Sequence, residues 1–167
     1  MDVIFISEIK NTYANRGITL ENKITQKCNE YIKKDIAYIY KIPTNWVVIR
    51  KGKKIISAFP KKKSIIDYIG TYKGMAIGIE AKSTTNTTSF PFSNIADHQW
   101  NFFKKWCNQA KGYYIVWFKK IDKIFLVDAK NMQKAKDTLG RKSVPLNWFK
   151  NNAIELGNDI DFIKYIK

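Results

Sequence analysis

The sequence predicts an α/β fold, a mixed β-sheet flanked by helices, because helical and alternating apolar periodicities follow one another as helix, strands, helix, strands, helix. The 167 residues fit one domain, 1–167, and 45% apolar composition with five Trp, nine Tyr and ten Phe can build its core.

Residues 17–34, GITLENKITQKCNEYIKK, place Leu20, Ile24, Cys28 and Tyr31 at helical spacing with charges between them. IAYIYKIP (36–43) and NWVVIR (45–50) read as strands punctuated by Pro43. RKGKKIISAFPKKK sets two basic clusters around a short apolar centre, which predicts a protruding basic hairpin over about residues 50–63. Gly70, Gly74 and Gly78 let the chain reverse and keep one wall of a site low. In the strand that follows, alternate residues share a face: Met75, Ile77, Ile79 and Ala81 point one way, Gly78, Glu80 and Lys82 the other. STTNTTSFPFS reads as a loop. A second amphipathic helix spans 94–110 through Ile95, Phe102, Phe103, Trp106 and Ala110, with Asn94 as its cap and Asp97 three residues on. GYYIVWF and KIFLVD are strands joined by a polar turn at Lys119 to Lys123. Residues 129–138 are helical, GRKSVP breaks the pattern, and a short segment around Trp148 follows.

Thirty Lys and Arg against fourteen Asp and Glu give a net charge of +16 and a pI near 9.8. That excess favours a polyanionic partner, most often nucleic acid, although an A/T-rich coding bias accounts for part of the lysine. No long amphipathic helix has the basic face that a membrane surface demands, and no apolar run reaches the roughly 18 residues of a membrane span. The opening MDVIFISEIK carries Asp2 and Glu8 and does not resemble a signal peptide, so a cytoplasmic location is expected. Cys28 and Cys107 stand far apart without a CxxC partner and read as core residues rather than a disulfide or zinc site. His98 is the single histidine, which argues against a His-based triad or zinc cluster, and it reads as a cap or core contact. In so aromatic a chain Tyr72, Trp100 and Trp106 are read as packing residues rather than base-stacking platforms.

Glu-x-Lys by itself is uninformative here: chance gives roughly two acid-x-Lys triplets, and short motifs carry that risk. Four occur, at Glu8, Glu21, Glu80 and Asp128. Only Glu80 sits inside a convincing strand with an acid, Asp67, ahead of it across a glycine-rich turn. Two readings of that face stand open. It meets water, and Glu80 and Lys82 are a solvated pair worth almost nothing. Or it meets phosphate and metal: two carboxylates repel unless a cation lies between them, hard oxygen ligands suit Mg²⁺, and a neighbouring lysine meets the charge of the transition state.

Asp67 followed by Glu80-Ala81-Lys82 resembles the core of the restriction-endonuclease-like nucleases, and the chain resembles the RecU family of Holliday junction resolvases in particular. NRGITLE (15–21), KIPT (41–44), DYIGTYKG (67–74), EAKSTTNTTSFPFSNI (80–95), His98-Gln99 and GRKSVP (140–145) carry the resemblance, in the family's order, over roughly residues 12–165. The resemblance implies a restriction-endonuclease-like sheet and a homodimeric, Mg²⁺-dependent endonuclease, with Mn²⁺ able to substitute, that cuts four-way DNA junctions symmetrically. It also implies recombination proteins as further partners. Asp67, Glu80 and Gln99 would hold the metal and Lys82 would stabilise the transition state. Glu21 would complete the acidic cluster or orient a water at the metal. The basic hairpin corresponds to the family's stalk, which enters the junction, so that Lys51, Lys53, Lys54, Lys61, Lys62 and Lys63 lie near DNA. Arg16, Thr84, Ser89, Arg141 and Lys142 are expected to do the same.

Two departures stand out. Ile65 occupies the position where the family carries Ser or Thr near the metal, with Ser64 as the substitute one residue away, and the stalk is several residues shorter. The compact, A/T-biased chain is what a phage or prophage version would look like. Two other functions compete with a resolvase: a less selective branched-DNA nuclease, and a basic protein that binds or bridges DNA without cutting it.

Overall fold

The computed structural model describes residues 15–44, 46–60 and 64–166, and the side chains of 20–44, 47–59 and 64–166. Lys61, Lys62, Lys63 and the Arg16 side chain lie outside the described residues.

Six strands form the main sheet, in the spatial order β1 (Tyr38–Lys41), β4 (Tyr68–Tyr72), β5 (Met75–Thr84), β7 (Lys111–Phe118), β8 (Lys123–Asp128) and β10 (Ile154–Leu156). Neighbours are antiparallel except β5 and β7. A parallel pair needs a crossover, and α2 (Asp97–Trp106) lies on it. The result is the mixed sheet flanked by helices that the sequence predicts, consistent with a restriction-endonuclease-like fold.

Each face of the sheet has its own core. On one side α1 (Asn15–Lys33) buries Leu20, Ile24, Cys28 and Tyr31 against Ile39, Tyr68, Ile77, Ile79 and Ile115. The C-terminal segment closes this side with Phe162, Ile163 and Ile166, and the Tyr31 hydroxyl donates to Asp161 Oδ1 at 2.7 Å. On the other side α2, α3 (Ala129–Thr138) and α4 (Leu146–Asn152) pack Trp100, Phe103, Met132 and Phe149 over Tyr114, Val116 and Phe125. Cys28 and Cys107 are free thiols, one buried in each core. Among the described residues no helix is long and apolar enough to cross a membrane.

Several boundaries differ from the sequence reading. β2 (Trp46–Lys51) and β3 (Lys54–Pro60) form a separate two-stranded hairpin that turns at Gly52, φ +61°. NWVVIR is therefore the hairpin's first arm, and the hairpin starts before residue 50, because its arms are the apolar runs and the basic residues gather at the turn. α2 begins after Ala96, whose N–H donates to Gln99 Oε1 at 3.1 Å. Asn94 is not the cap; it ends a 3₁₀ turn and donates to the Ser83 carbonyl at 3.4 Å. Of the three glycines only Gly74 serves the reversal, where Lys73 and Gly74 both have positive φ between Tyr72 and Met75. Gly78 makes room for Trp106, whose Nε1 would lie 3.1 Å from an added Cβ. β6 (Ser89–Pro91) and β9 (Ser143–Pro145), too short to show a period, pair with each other.

Candidate active site

The face in question lies under α2. Tyr68 pairs with Ile79, so Asp67, one residue before β4, comes alongside Glu80 and Ala81. The Ala81 N–H donates to Asp67 Oδ2 at 2.9 Å, and the Ile42 N–H donates to the Asp67 carbonyl at 2.8 Å. Both ends of Asp67 are thereby held by backbone, which makes its placement a property of the sheet.

Glu80 is 1% exposed. Lys82 Nζ lies 2.8 Å from its Oε1, and Gln99 Nε2 donates to the same oxygen from the first turn of α2. Glu80 Oε2 is buried and has no hydrogen-bond partner. The Tyr114 hydroxyl, on the residue paired with Glu80 across β5 and β7, is the other such atom among the described residues. An unpaired buried carboxylate oxygen is costly unless a proton or a cation meets it.

Burial pushes the Glu80 carboxyl up to about 8; the Asp67 charge adds to this and Lys82 opposes it. Asp67 is also raised, first by burial and further by Glu21, while the Ala81 N–H pulls it down. Both shifts favour a proton on the pair, and a divalent cation placed there would take over the role of that proton. The two carboxylates are hard oxygen donors of the kind Mg²⁺ takes together with several waters, while the Gln99 amide turns its nitrogen to Glu80 and its oxygen to the Ala96 N–H. The residues present therefore fit such an ion. Among the described residues no group of three or more His, Cys, Asp or Glu gathers closely enough to hold a metal.

Glu21 stands off this pair, ion-paired through Oε2 with Lys41 Nζ at 2.6 Å. Its carbonyl accepts from the Tyr68 hydroxyl at 2.7 Å, tying α1 to β4. Both ends of the Gln99 amide are engaged, one on Glu80 and one on the Ala96 N–H. Ile65 is 57% exposed, and the Ser64 hydroxyl donates to the Ile66 carbonyl. His98 is exposed and its Nε2 donates to the Ser64 carbonyl at 3.2 Å, steadying the segment before Asp67. Trp100 is buried, and Trp106 stacks on Phe102 with centroids 5.2 Å apart. The Asp128-x-Lys triplet is structural: Asp128 caps α3 by accepting from the Lys130 N–H at 2.7 Å.

The expected DNA contacts separate into groups. Lys51, Lys53 and Lys54 are exposed at the hairpin turn. Arg141 and Lys142 are exposed beside β9, and the Lys142 carbonyl accepts from the Phe92 N–H at 3.1 Å. That bond and the β6–β9 pair bring GRKSVP against SFPFSN, two motifs fifty residues apart in the chain. Ser89 is half-buried in β6, and Thr84 is buried, its hydroxyl accepting from the Asn86 N–H at 3.1 Å. Sequence reasoning quoted Lys41 only inside KIPT and gave it no role; its pairing with Glu21 needed the α1–β1 contact to become visible.

Residues 15–167 match the family described as Recombination protein U, RecU. The chain belongs to the RecU family. It is 35% identical to the Holliday junction resolvase RecU of Pediococcus pentosaceus over 167 residues, covering 93% of this chain and 83% of that one. It is also 35% identical to the protein of that name from Bacillus cytotoxicus and 34% identical to that from Bacillus thuringiensis. Each of these two alignments covers 81% of this chain and 72% of the relative. The RecU match includes Asp67, Glu80, Lys82 and Gln99, which the fold brings to one face.

Proposed function

We propose that the chain resolves four-way DNA junctions by paired, symmetric phosphodiester hydrolysis, as a homodimer that uses Mg²⁺ or, in its place, Mn²⁺. The observation that carries this reading is the Asp67–Glu80 pair: Glu80 buried and Asp67 half-buried, both raised in pKa, beside Lys82, with one Glu80 oxygen left unpaired.

Asp67 and Glu80 would hold the ion, with Gln99 at its margin turning Glu80 toward it. When bound, the metal polarises the scissile phosphate and lowers the pKa of a water. Lys82 is the fixed cation that meets negative charge building on the phosphate oxygens. Glu21, set apart with Lys41, orients the attacking water. Water attacks phosphorus without a covalent enzyme intermediate, leaving 5′-phosphate and 3′-hydroxyl ends. The +16 charge attracts a substrate where four phosphate backbones converge, so binding should weaken steeply with salt. Two cuts related by a twofold axis need two sites in that relation, which a C₂ pair provides.

Cleavage of a labelled junction and a matched duplex, with Mg²⁺ or EDTA, tests the reading. Paired nicks on the junction alone, lost with EDTA, are expected. Equal cutting of duplex would leave a nuclease of broader taste, and tight binding without cutting under either metal would leave a DNA-binding protein.

A further inference from the structure

Helices α2 and α3 lie antiparallel on the sheet face away from α1. At one end Lys136 Nζ sits 4.2 Å from the centroid of the Trp100 ring, and at the other Ala129 and Lys130 line one cleft with Cys107 and Asn108. That cleft measures about 230 Å³. Its floor is Trp100, Phe103 and Cys107 from α2 and Ala129 from α3, each at most 7% exposed. Its walls are Lys104 from α2 and Lys130 and Gln133 from α3. At the Cys107 end it adjoins a second depression of about 370 Å³ beside the turn between α2 and β7, which brings in Gln109, Lys111 and Asp128. The two share Cys107, Asn108 and Lys130, so an apolar slot opens onto a polar trough.

Charge around the slot is one-sided. Lys104, Lys111, Lys130 and Lys136 border the two depressions, and none of them takes part in an ion pair among the described residues. The acids beside them are engaged locally. Asp128 accepts from the Lys130 and Asn131 N–H groups as the cap of α3, and Asp137 Oδ1 accepts from Gln133 Nε2 at 2.9 Å. The cleft also stands apart from the hairpin: α3 packs on β7 and β8, while the hairpin follows β1 at the opposite edge of the sheet. At about 230 Å³ the slot falls below the roughly 300–1,000 Å³ of a small-molecule pocket, and it suits a single side chain. A phosphate backbone would meet the lysines and leave the apolar floor uncovered. A chain that carries carboxylates and one apolar side chain meets both.

We infer that this cleft docks an acidic peptide segment of a partner protein, with one aromatic side chain in the slot between α2 and α3 and its carboxylates on Lys104, Lys130 and Lys111. The aromatic side chain supplies affinity by leaving water for a floor that already carries the Trp100 and Phe103 rings. The carboxylates supply register and speed of encounter. Docking there needs neither metal nor DNA, so it stands whether or not the chain resolves junctions. An occupant leaves the hairpin open, and a partner can therefore hold the chain while it engages DNA.

The test is fluorescence anisotropy of a short labelled peptide, several glutamates followed by one phenylalanine, titrated with the full chain in EDTA at about 0.1 M salt. A dissociation constant on the order of 10 μM is expected. Replacing the peptide's phenylalanine by serine, or its glutamates by glutamines, should weaken binding at least about tenfold. Lys104→Glu/Lys130→Glu should do the same, and so should Gln133→Trp, which fills the slot without changing charge, with the melting temperature of each variant kept. Amide hydrogen exchange on the wild type gives a readout free of any folding defect: the peptide should slow exchange in residues 100–108 and 129–133. No binding overturns the inference, as does a serine peptide that binds equally well, which would mean attraction by net charge alone. Protection elsewhere, or affinity unchanged in both variants, overturns the placement. A single-stranded oligonucleotide that binds the wild type and is lost in both variants would make the cleft a nucleic-acid surface instead.

Discussion

Glu80 is 1% exposed beneath α2, while Ile56, on the hairpin, is 60% exposed. The two regions carry opposite kinds of unfinished structure. The candidate active site is a polar group placed where the protein is dry, at an electrostatic cost that a bound cation would relieve. The hairpin is an apolar surface placed where the protein is wet, at a hydrophobic cost. Neither region is explained by the fold alone, and the two bear opposite kinds of cost.

The sharpest way to break this contrast is to neutralise Glu80 or its neighbour Asp67. Glu80→Gln or Asp67→Asn should lower junction cleavage on the order of 10³-fold, because the stabilisation lost is made in the transition state. Junction affinity in gel shift should stay within a few fold, since the basic groups are untouched. Loss of binding in parallel with cleavage would mean that the pair is structural.

Metal-free stability should depend on pH in a way that the hairpin cannot produce. Glu80 rises from 4.5 to about 8 on folding, so the folded state holds a proton that the unfolded chain has released between those values. Stability is therefore highest below pH 4.5 with respect to this group and falls as pH rises through about 8; Asp67 acts in the same direction. Thermal melts in EDTA should show that decline, Mg²⁺ should reverse it, and Glu80→Gln should flatten it. A metal-free melting temperature that rises between pH 5 and 8 would contradict the burial argument.

At the hairpin the expected loss is in binding and its salt dependence. Replacing Lys51, Lys53 and Lys54 with Ala should reduce the slope of log affinity against log salt by up to about three, with single-turnover cutting at saturation unchanged. An unchanged slope would place those lysines away from phosphate.

The smallest effect lies between the regions, at Lys41. It ends β1, pairs with Glu21 at 2.6 Å, and stands where the chain leaves the sheet for the hairpin. Lys41→Ala should cost less than about 1 kcal/mol of stability, since the pair is partly exposed. If Glu21 orients the attacking water, cleavage should fall roughly tenfold with junction affinity kept, less than the full loss of a general acid–base group (about 10²-fold or more) because Glu21 itself remains. A fall in affinity instead would make Lys41 a DNA contact.

Local pattern alone determined much of this protein. Leu20, Ile24, Cys28 and Tyr31 mark the buried stripe of α1, and the alternation from Met75 to Lys82 separates the core face of β5 from the site face, because both periods are short-range consequences of backbone geometry. Asp67, Glu80, Lys82 and Gln99 were legible as a set through their family motif. Distance across the sheet was not legible, since pairing between β5 and β7 and packing of α2 are long-range. Those contacts decided that Glu80 is dry, that Gln99 grips it while capping α2, that Glu21 answers to Lys41, and that Gly78 seats Trp106. The exposure of apolar side chains between Ile36 and Ile69 was likewise invisible in composition, because an apolar residue on a strand reads the same whether its neighbour covers it or leaves it exposed.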